Sequence, residues 1–310
     1  MSFSIDIQSV SSFKRIRITN LISKAYIDII SKGGILNSWM QPAENWDIID
    51  GNDFSNGWSN FESNGFKSAK MSPYACRLLN GIYEHENKSY KVEKFYLGNH
   101  GLHGILYDAE FEIIETNINS QSAQVKLEFQ YLGTDVGFPF EYNIQLTWTY
   151  FSDNTINIQT TITNKSNQSI PMMDGWHPYF RLGENISNCS LQFSNKGILE
   201  YDAALIPTGN VTSNAIFEKA TPLDHIKLDN GYLLDNEFAI CILENEKYIL
   251  KVKPSAAYPY LQLYTPDHRK SIAIENLSAT PNCFNNKMGL HIMQPQAIWN
   301  LETSYQLITK

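Results

Sequence analysis

Ile144-Gln145-Leu146-Thr147-Trp148-Thr149-Tyr150-Phe151-Ser152-Asp153-Asn154-Thr155-Ile156-Asn157-Ile158-Gln159-Thr160-Thr161-Ile162 decides the fold class. Ile144, Leu146, Trp148 and Tyr150 alternate with polar residues, and Ile156, Ile158 and Ile162 repeat the pattern beyond Ser152-Asp153-Asn154. Side chains on a strand point to opposite faces in turn, so this period of two describes two half-buried strands. A three-residue polar break between them closes an antiparallel hairpin.

Working outward, the same alternation recurs. Val125, Leu127, Phe129 and Tyr131 interleave with Lys126, Glu128 and Gln130. Ile16 to Thr19 and Ala25 to Ile30 read as the first strands, with Gly33-Gly34 turning the chain after them. Later strands are expected at Phe238 to Leu243, Tyr248 to Lys253, Tyr260 to Thr265 and Ser271 to Glu275. Residues 37–70 are rich in Asn, Ser and Gly and carry Trp39, Trp46 and Trp58; they read as long loops pinned to a sheet. Sustained helical periodicity is nearly absent. The expectation is an all-β, antiparallel fold with its strands in two large sheets or a closed barrel. No low-complexity linker or internal repeat divides the 310 residues, which are taken as one domain.

Composition narrows the partners. The chain is 43% hydrophobic and 13% aromatic, values of a globular protein, and its net charge is −8. Nucleic acid and anionic membrane surfaces demand clustered positive charge and are not expected as partners. Cys76, Cys189, Cys241 and Cys283 are widely spaced and form no C-x-x-C pair, which argues against structural zinc or a disulfide framework. The N-terminal residues lack a signal-peptide pattern and no apolar run is long enough to cross a bilayer, so a cytoplasmic location is expected.

Two titratable residues stand out. His177 lies in Gly175-Trp176-His177-Pro178-Tyr179-Phe180, where Pro178 holds the preceding residue in extended backbone. Glu275 closes Ile272-Ala273-Ile274-Glu275, and alternation sets it on the face opposite the isoleucines. Read alone, His177 is first a core histidine and Glu275 first a solvated strand end. Paired in a desolvated cleft, they are an acid and a base for moving protons on a neutral substrate. His100 and His103 sit three apart in a Gly-containing turn, and with His177 they leave a weak metal reading open. Arg77 cannot serve as a base but its forked donors can hold hydroxyls or a carboxylate. Asp229, before Asn230-Gly231, reads as a turn aspartate. No phosphate-cradling loop, nucleotide fingerprint or G-x-S-x-G elbow is present.

Three segments in order resemble the aldose 1-epimerase (galactose mutarotase) family: Asn99-His100-Gly101-Leu102-His103-Gly104, Gly175-Trp176-His177-Pro178-Tyr179-Phe180, and Glu275 with Pro281-Asn282-Cys283-Phe284-Asn285 behind it. Pro73-Tyr74-Ala75-Cys76-Arg77 through Tyr83 is similar to the family's arginine segment, and Leu228-Asp229 to its aspartate segment. The resemblance implies a large β-sandwich and a cofactor-free, metal-free epimerase acting on a monosaccharide as a monomer or homodimer. It implies Glu275 and His177 as the catalytic pair, with His103, Arg77 and Asp229 holding hydroxyls and Trp176, or a loop tryptophan, lying against the sugar. Departures are Ile105 in place of a second glycine, Asn276 in place of a proline, and Arg181 in place of an asparagine. Arg181 keeps a hexose-phosphate epimerase open, although the chain has only five arginines. A non-catalytic carbohydrate-binding sandwich would not need Glu275 together with two histidines. A metal-dependent barrel enzyme would lose activity to chelators.

Overall fold

A computed structural model describes every residue except 1, 11, 56 and 236–238. Two large antiparallel sheets dominate. The first has nine strands in the order Glu112–Ile118, Ser122–Tyr131, Tyr142–Phe151, Thr155–Asn164, Ile298–Thr309, Tyr248–Pro254, Cys241–Glu244, Ser190–Gln192 and Thr221–Pro222. The hairpin expected from the sequence lies near its centre, with Trp148 opposite Ile158 and Tyr150 opposite Ile156. Ile144, Leu146, Trp148, Tyr150, Ile156, Ile158 and Ile162 are all at most 1% exposed, so the alternating face is the core face. Asn154 turns the hairpin with φ of 61°, a conformation asparagine tolerates. Its side-chain oxygen accepts from both the Trp39 indole (3.0 Å) and the Tyr150 hydroxyl (2.8 Å).

The second sheet runs Pro207–Thr212, Asn195–Tyr201, Asp229–Leu234, Tyr260–Tyr264, Ile272–Leu277, Gly175–Trp176, Lys70–Met71, with Tyr179–Phe180 also paired to Ile272–Leu277. The sheets meet face to face. Trp148 packs edge-on to Trp176 at 5.3 Å, Phe180 to Tyr305 at 5.2 Å, and the Thr303 hydroxyl donates to the Asn276 side chain at 2.9 Å. This is the β-sandwich expected, and most of its buried apolar side chains form one contiguous cluster. A third, five-stranded sheet is built from Phe3–Val10, Phe13–Asn20, Tyr26–Ile30, Ile35–Gln41 and Trp46–Asp47.

Some boundaries differ from the sequence reading. Residues 37–70 are not wholly loop: Ile35–Gln41 is a strand and Trp39 is fully buried on it. The Asn and Ser residues that lowered its strand signal lie here between buried apolar neighbours, and packing overrides propensity. The strand expected from Phe238 begins at Cys241, Phe238 itself being outside the described residues. Ile272–Leu277 continues past Glu275 and is buried along its whole length. Glu275 is therefore mid-strand, covered on both sides, rather than a strand end in water.

Candidate active site

Alternation along Ile272–Leu277 sends Asn276 toward the other sheet, where it meets Thr303, and Glu275 to the opposite face. There Glu275 is 2% exposed. Its cross-strand neighbour on Tyr260–Tyr264 is Gln262. Gln262 donates to Asp229 at 3.1 Å and accepts from the Tyr201 hydroxyl at 3.0 Å. Gly231 faces Gln262 from the next strand, and a β-carbon there would collide with the Tyr201 hydroxyl, so only glycine leaves room for that contact.

His177 reaches the same point from the segment between Gly175–Trp176 and Tyr179–Phe180. Its N–H donates to the Ala69 carbonyl at 3.1 Å and its carbonyl accepts from Ser68 at 2.9 Å, which fixes the extended backbone that Pro178 requires. The ring is stacked on Tyr179 at 4.9 Å and meets His103 edge-on at 5.0 Å. His177 Nε2 and Glu275 Oε1 are 3.3 Å apart.

His103 and Arg77 come from a small sheet of Arg77–Leu78, His100–Leu102 and Tyr96–Leu97. His103 is left-handed (φ 58°), its N–H donating to the Cys76 carbonyl at 3.0 Å. Gly104 follows with φ of 77°, where a β-carbon would strike the Ser72 backbone. Phe66, Cys76, His103 and Leu205 all line one cavity and all have positive φ. Side chains with a β-carbon disfavour this region, and such strain gathers where a site must be shaped.

These residues enclose a cavity of about 320 Å³ lined by Glu275, His177, His103, Arg77, Asp229, Gln262, Cys76, Tyr179, Tyr201, Tyr264, Glu62 and Phe66, with further apolar residues toward the mouth. Burial sets the electrostatics. Desolvation pushes the Glu275 carboxyl well above the usual range, with Asp229 raising it further. The same burial lowers the His177 imidazole to about 4. His103 is driven well below its ordinary value by burial, then by His177 and Arg77. Asp229 is raised by burial, against which Arg77 and Gln262 pull it back. His103 and His177 each keep a buried Nδ1 with no hydrogen-bond partner among the described residues. Burial thus favours the uncharged forms of both Glu275 and His177.

Five of the six residues singled out from sequence line this cavity: Glu275, His177, His103, Arg77 and Asp229. Trp176 does not. It is 2% exposed, packed on Trp148 between the sheets with the Lys70 ammonium 4.3 Å from its ring centroid, because alternation turns it away from the face His177 reaches. The loop tryptophans are also elsewhere. Trp39 is core, the Trp46 indole donates to the Arg181 carbonyl, and Trp58 is stacked between Phe54 and Phe61. The aromatic walls are Tyr179, Phe66 and Tyr264 instead. Arg181 lies outside the cavity, over Trp46 with its Nε donating to the Asp47 carbonyl at 2.9 Å. His100 accepts from the Asn80 N–H at its turn, and among the described residues no group of three or more His, Cys, Asp or Glu side chains is arranged to hold a metal ion. All four cysteines are free. Gln262, Tyr201 and Cys76 were missed from sequence; Gln262 had a signal, a lone amide between two buried leucines on a strand.

The family model for aldose 1-epimerase matches residues 14–306, and the chain belongs to that family. A galactose mutarotase-like protein of Clostridium acetobutylicum shares the fold at a TM-score of 0.86 and 18% identity, over 100% of this chain and 99% of that one. The galactose 1-epimerase of Lactobacillus acidophilus does so at 0.83 and 16%, over 99% and 98%. An uncharacterised Escherichia coli protein, YihR, is 20% identical over 231 residues, covering 72% of this chain and 73% of its own. Among the described residues no helix is long and apolar enough to cross a membrane.

Proposed function

We propose that this protein interconverts the α and β anomers of a free aldohexose, such as galactose or glucose, by ring opening that needs no cofactor. The observation that carries the reading is the buried His177–Glu275 pair, 3.3 Å apart on the cavity floor. For opening, the Glu275 carboxylate takes the proton of the anomeric hydroxyl while His177 gives one to the ring oxygen. The C1–O5 bond breaks and the open-chain aldehyde forms. Rotation about C1–C2 presents the other carbonyl face, and closure with the roles exchanged gives the opposite anomer.

The pair's electrostatics support these roles. Opening turns an ionised pair into a protonated Glu275 and a neutral His177. Burial favours that neutral state, so the site is matched to the open-chain stage. One proton transfer between the two groups restores the ionised form for a cyclic sugar. Microscopic reversibility demands a carboxyl that can both take and return the proton, which a raised pKa provides. Arg77, His103 and Asp229 hold hydroxyls; Tyr179, rather than Trp176, offers a flat wall. Among the described residues Glu62, Asp229 and Glu275 line the cavity with Arg77 as the one Lys or Arg side chain, which suits an uncharged sugar better than a phosphorylated one.

The test is polarimetry of freshly dissolved α-D-glucose and α-D-galactose with EDTA-treated protein. Wild type is expected to speed mutarotation, and Glu275→Gln and His177→Ala to reduce it by 10²-fold or more, the usual size of an acid or base contribution, roughly 10²–10⁴. No acceleration with either sugar would overturn the reading.

A further inference from the structure

The two oxygens of the Glu275 carboxyl have different neighbours. Oε1 lies 3.3 Å from His177 Nε2, and Oε2 lies 3.9 Å from Cys76 Sγ, a hydrogen-bond distance for the larger sulfur atom. Gln262, the cross-strand neighbour, is turned to Asp229 and Tyr201 instead. Cys76 is partly exposed and lines the cavity, whereas Cys189, Cys241 and Cys283 are buried away from it. Its backbone is left-handed (φ 53°), a conformation disfavoured for a residue with a β-carbon. The surrounding chain fixes it there. The Ala75 N–H donates to Met173 Sδ at 3.3 Å, the Cys76 carbonyl accepts from His103 at 3.0 Å, and the Arg77 carbonyl accepts from the Asn282 N–H at 2.8 Å. Burial, and after it Glu275 and Asp229, hold the Cys76 thiol well above its ordinary value, so it remains protonated, a donor and not a nucleophile.

We propose that Cys76 is a positioning residue for the base: its S–H donates to Glu275 Oε2, favours the carboxylate over the acid, and leaves Oε1 to face His177. The inference rests on the epimerase reading of the cavity. That reading needs an ionised Glu275 in a place where burial favours the uncharged form. A hydrogen bond to the charged form works against burial. A thiol is a weak donor, so it offsets only part of the desolvation. The carboxyl stays raised and can still return its proton at ring closure. Of the charged groups around it, Asp229 on the neighbouring strands pushes the Glu275 carboxyl up while Cys76 draws it down. Arg77 and Glu62 stand on the cavity wall. His177, His103, Tyr179, Tyr201 and Tyr264 are all shifted by burial toward their uncharged forms.

The experiment records kcat/KM for mutarotation of glucose and galactose against pH in wild type, Cys76→Ala and Asp229→Asn. Alongside it, the infrared S–H band of Cys76 is isolated by subtracting spectra of matched Cys76→Ala protein, with Glu275 intact and with Glu275→Ala. Alanine keeps the β-carbon at this left-handed position, so the backbone is neither relieved nor further strained. The alkaline limb of the profile is where the Glu275–His177 pair loses the proton it needs. Without the thiol the carboxylate is less favoured. Cys76→Ala is therefore expected to lower the plateau about threefold and to move the alkaline limb up by about half a pH unit, the same factor on a logarithmic scale. Asp229→Asn removes a like charge and should move that limb down. The Cys76 band is expected at lower frequency with Glu275 than with alanine in its place. A plateau that falls while the limb stays fixed would reduce Cys76 to packing and overturn the proposal, as would a band indifferent to Glu275. A band that shifts in a protein without mutarotation would overturn the epimerase reading and uphold the thiol's hold on Glu275.

Discussion

Asp174→Asn is the most informative perturbation of the scaffold behind His177. Asp174 forms an ion pair with Lys70, both side chains are 0% exposed, and Tyr258 donates to the same carboxylate at 2.7 Å. Lys70 also faces the Trp176 ring. The pair ties Lys70–Met71 to the segment that leads into His177, and the Ser278 N–H donates to the Asp174 carbonyl at 2.9 Å from the Glu275 strand side. The asparagine keeps the shape and removes the charge, leaving a buried ammonium unpaired. Removing one partner of a buried pair costs about 3–5 kcal/mol, against about 0–1 for an exposed pair. An independent bound agrees: Lys70 can shed its proton, and neutralising a lysine of pKa 10.5 at pH 7 costs about 4.8 kcal/mol. That bound falls by about 1.4 kcal/mol per pH unit. Wild-type Lys70, lowered to about 8 by burial against the pull of Asp174, stays charged up to that pH. Thermal melts at pH 7 and pH 8 test this. The variant is expected to lose about 5–8 °C at pH 7 and visibly less at pH 8. A loss equivalent to about 1 kcal/mol or less, or one that ignores pH, would refute the reasoning.

Glu275→Gln should stabilise the fold increasingly as pH rises above the ordinary carboxyl range: the raised carboxyl contributes stability that is present below the unfolded pKa and lost as pH rises, and glutamine removes that loss. A melting difference that does not grow with pH contradicts this. His177 is the opposite case, its lowered pKa contributing stability that is lost as pH falls from about 6.5 to about 4, by up to about 3 kcal/mol. His177→Gln should flatten that acid limb of the melting curve, and an unchanged limb would assign it to other groups. Gly231→Ala should raise KM for the sugar about tenfold with a smaller change in kcat, because its methyl displaces the Tyr201 hydroxyl from Gln262. Arg181→Gln should alter kcat/KM by less than about threefold, since its guanidinium is committed to Trp46 and Asp47; a larger loss would return it to the site.

Much of this was legible because two signals were strong. Period-two alternation is a local property, so the central hairpin and the Ser122–Tyr131 strand follow directly from residue order. The residues of the site were marked by uncommon neighbours: Pro178 after His177, and Gly101 and Gly104 close to His103. What failed were questions of facing. Whether Trp176 or His177 enters the cavity depends on the register of Gly175–Trp176 against Ile272–Leu277, which no local pattern encodes. Tryptophans in a polar stretch look like sugar platforms, yet Trp39, Trp46 and Trp58 each satisfy tertiary contacts elsewhere. Gln262 and Tyr201 matter only because four adjacent strands bring them beside Asp229 and Glu275, and strand order is not written in any one of them.

The central claim is that Glu275 and His177 act as one proton-sharing unit. A double-mutant cycle on Glu275→Gln and His177→Gln tests it, with anomer exchange of a C1-labelled aldose read by magnetisation-transfer NMR. Residues that work as a unit are grossly non-additive. Each single substitution should cost 10²-fold or more, and the double variant should be no slower than the worse of the two. Losses that multiply would mean two independent contributions, and would contradict the shared proton on which the mechanism stands.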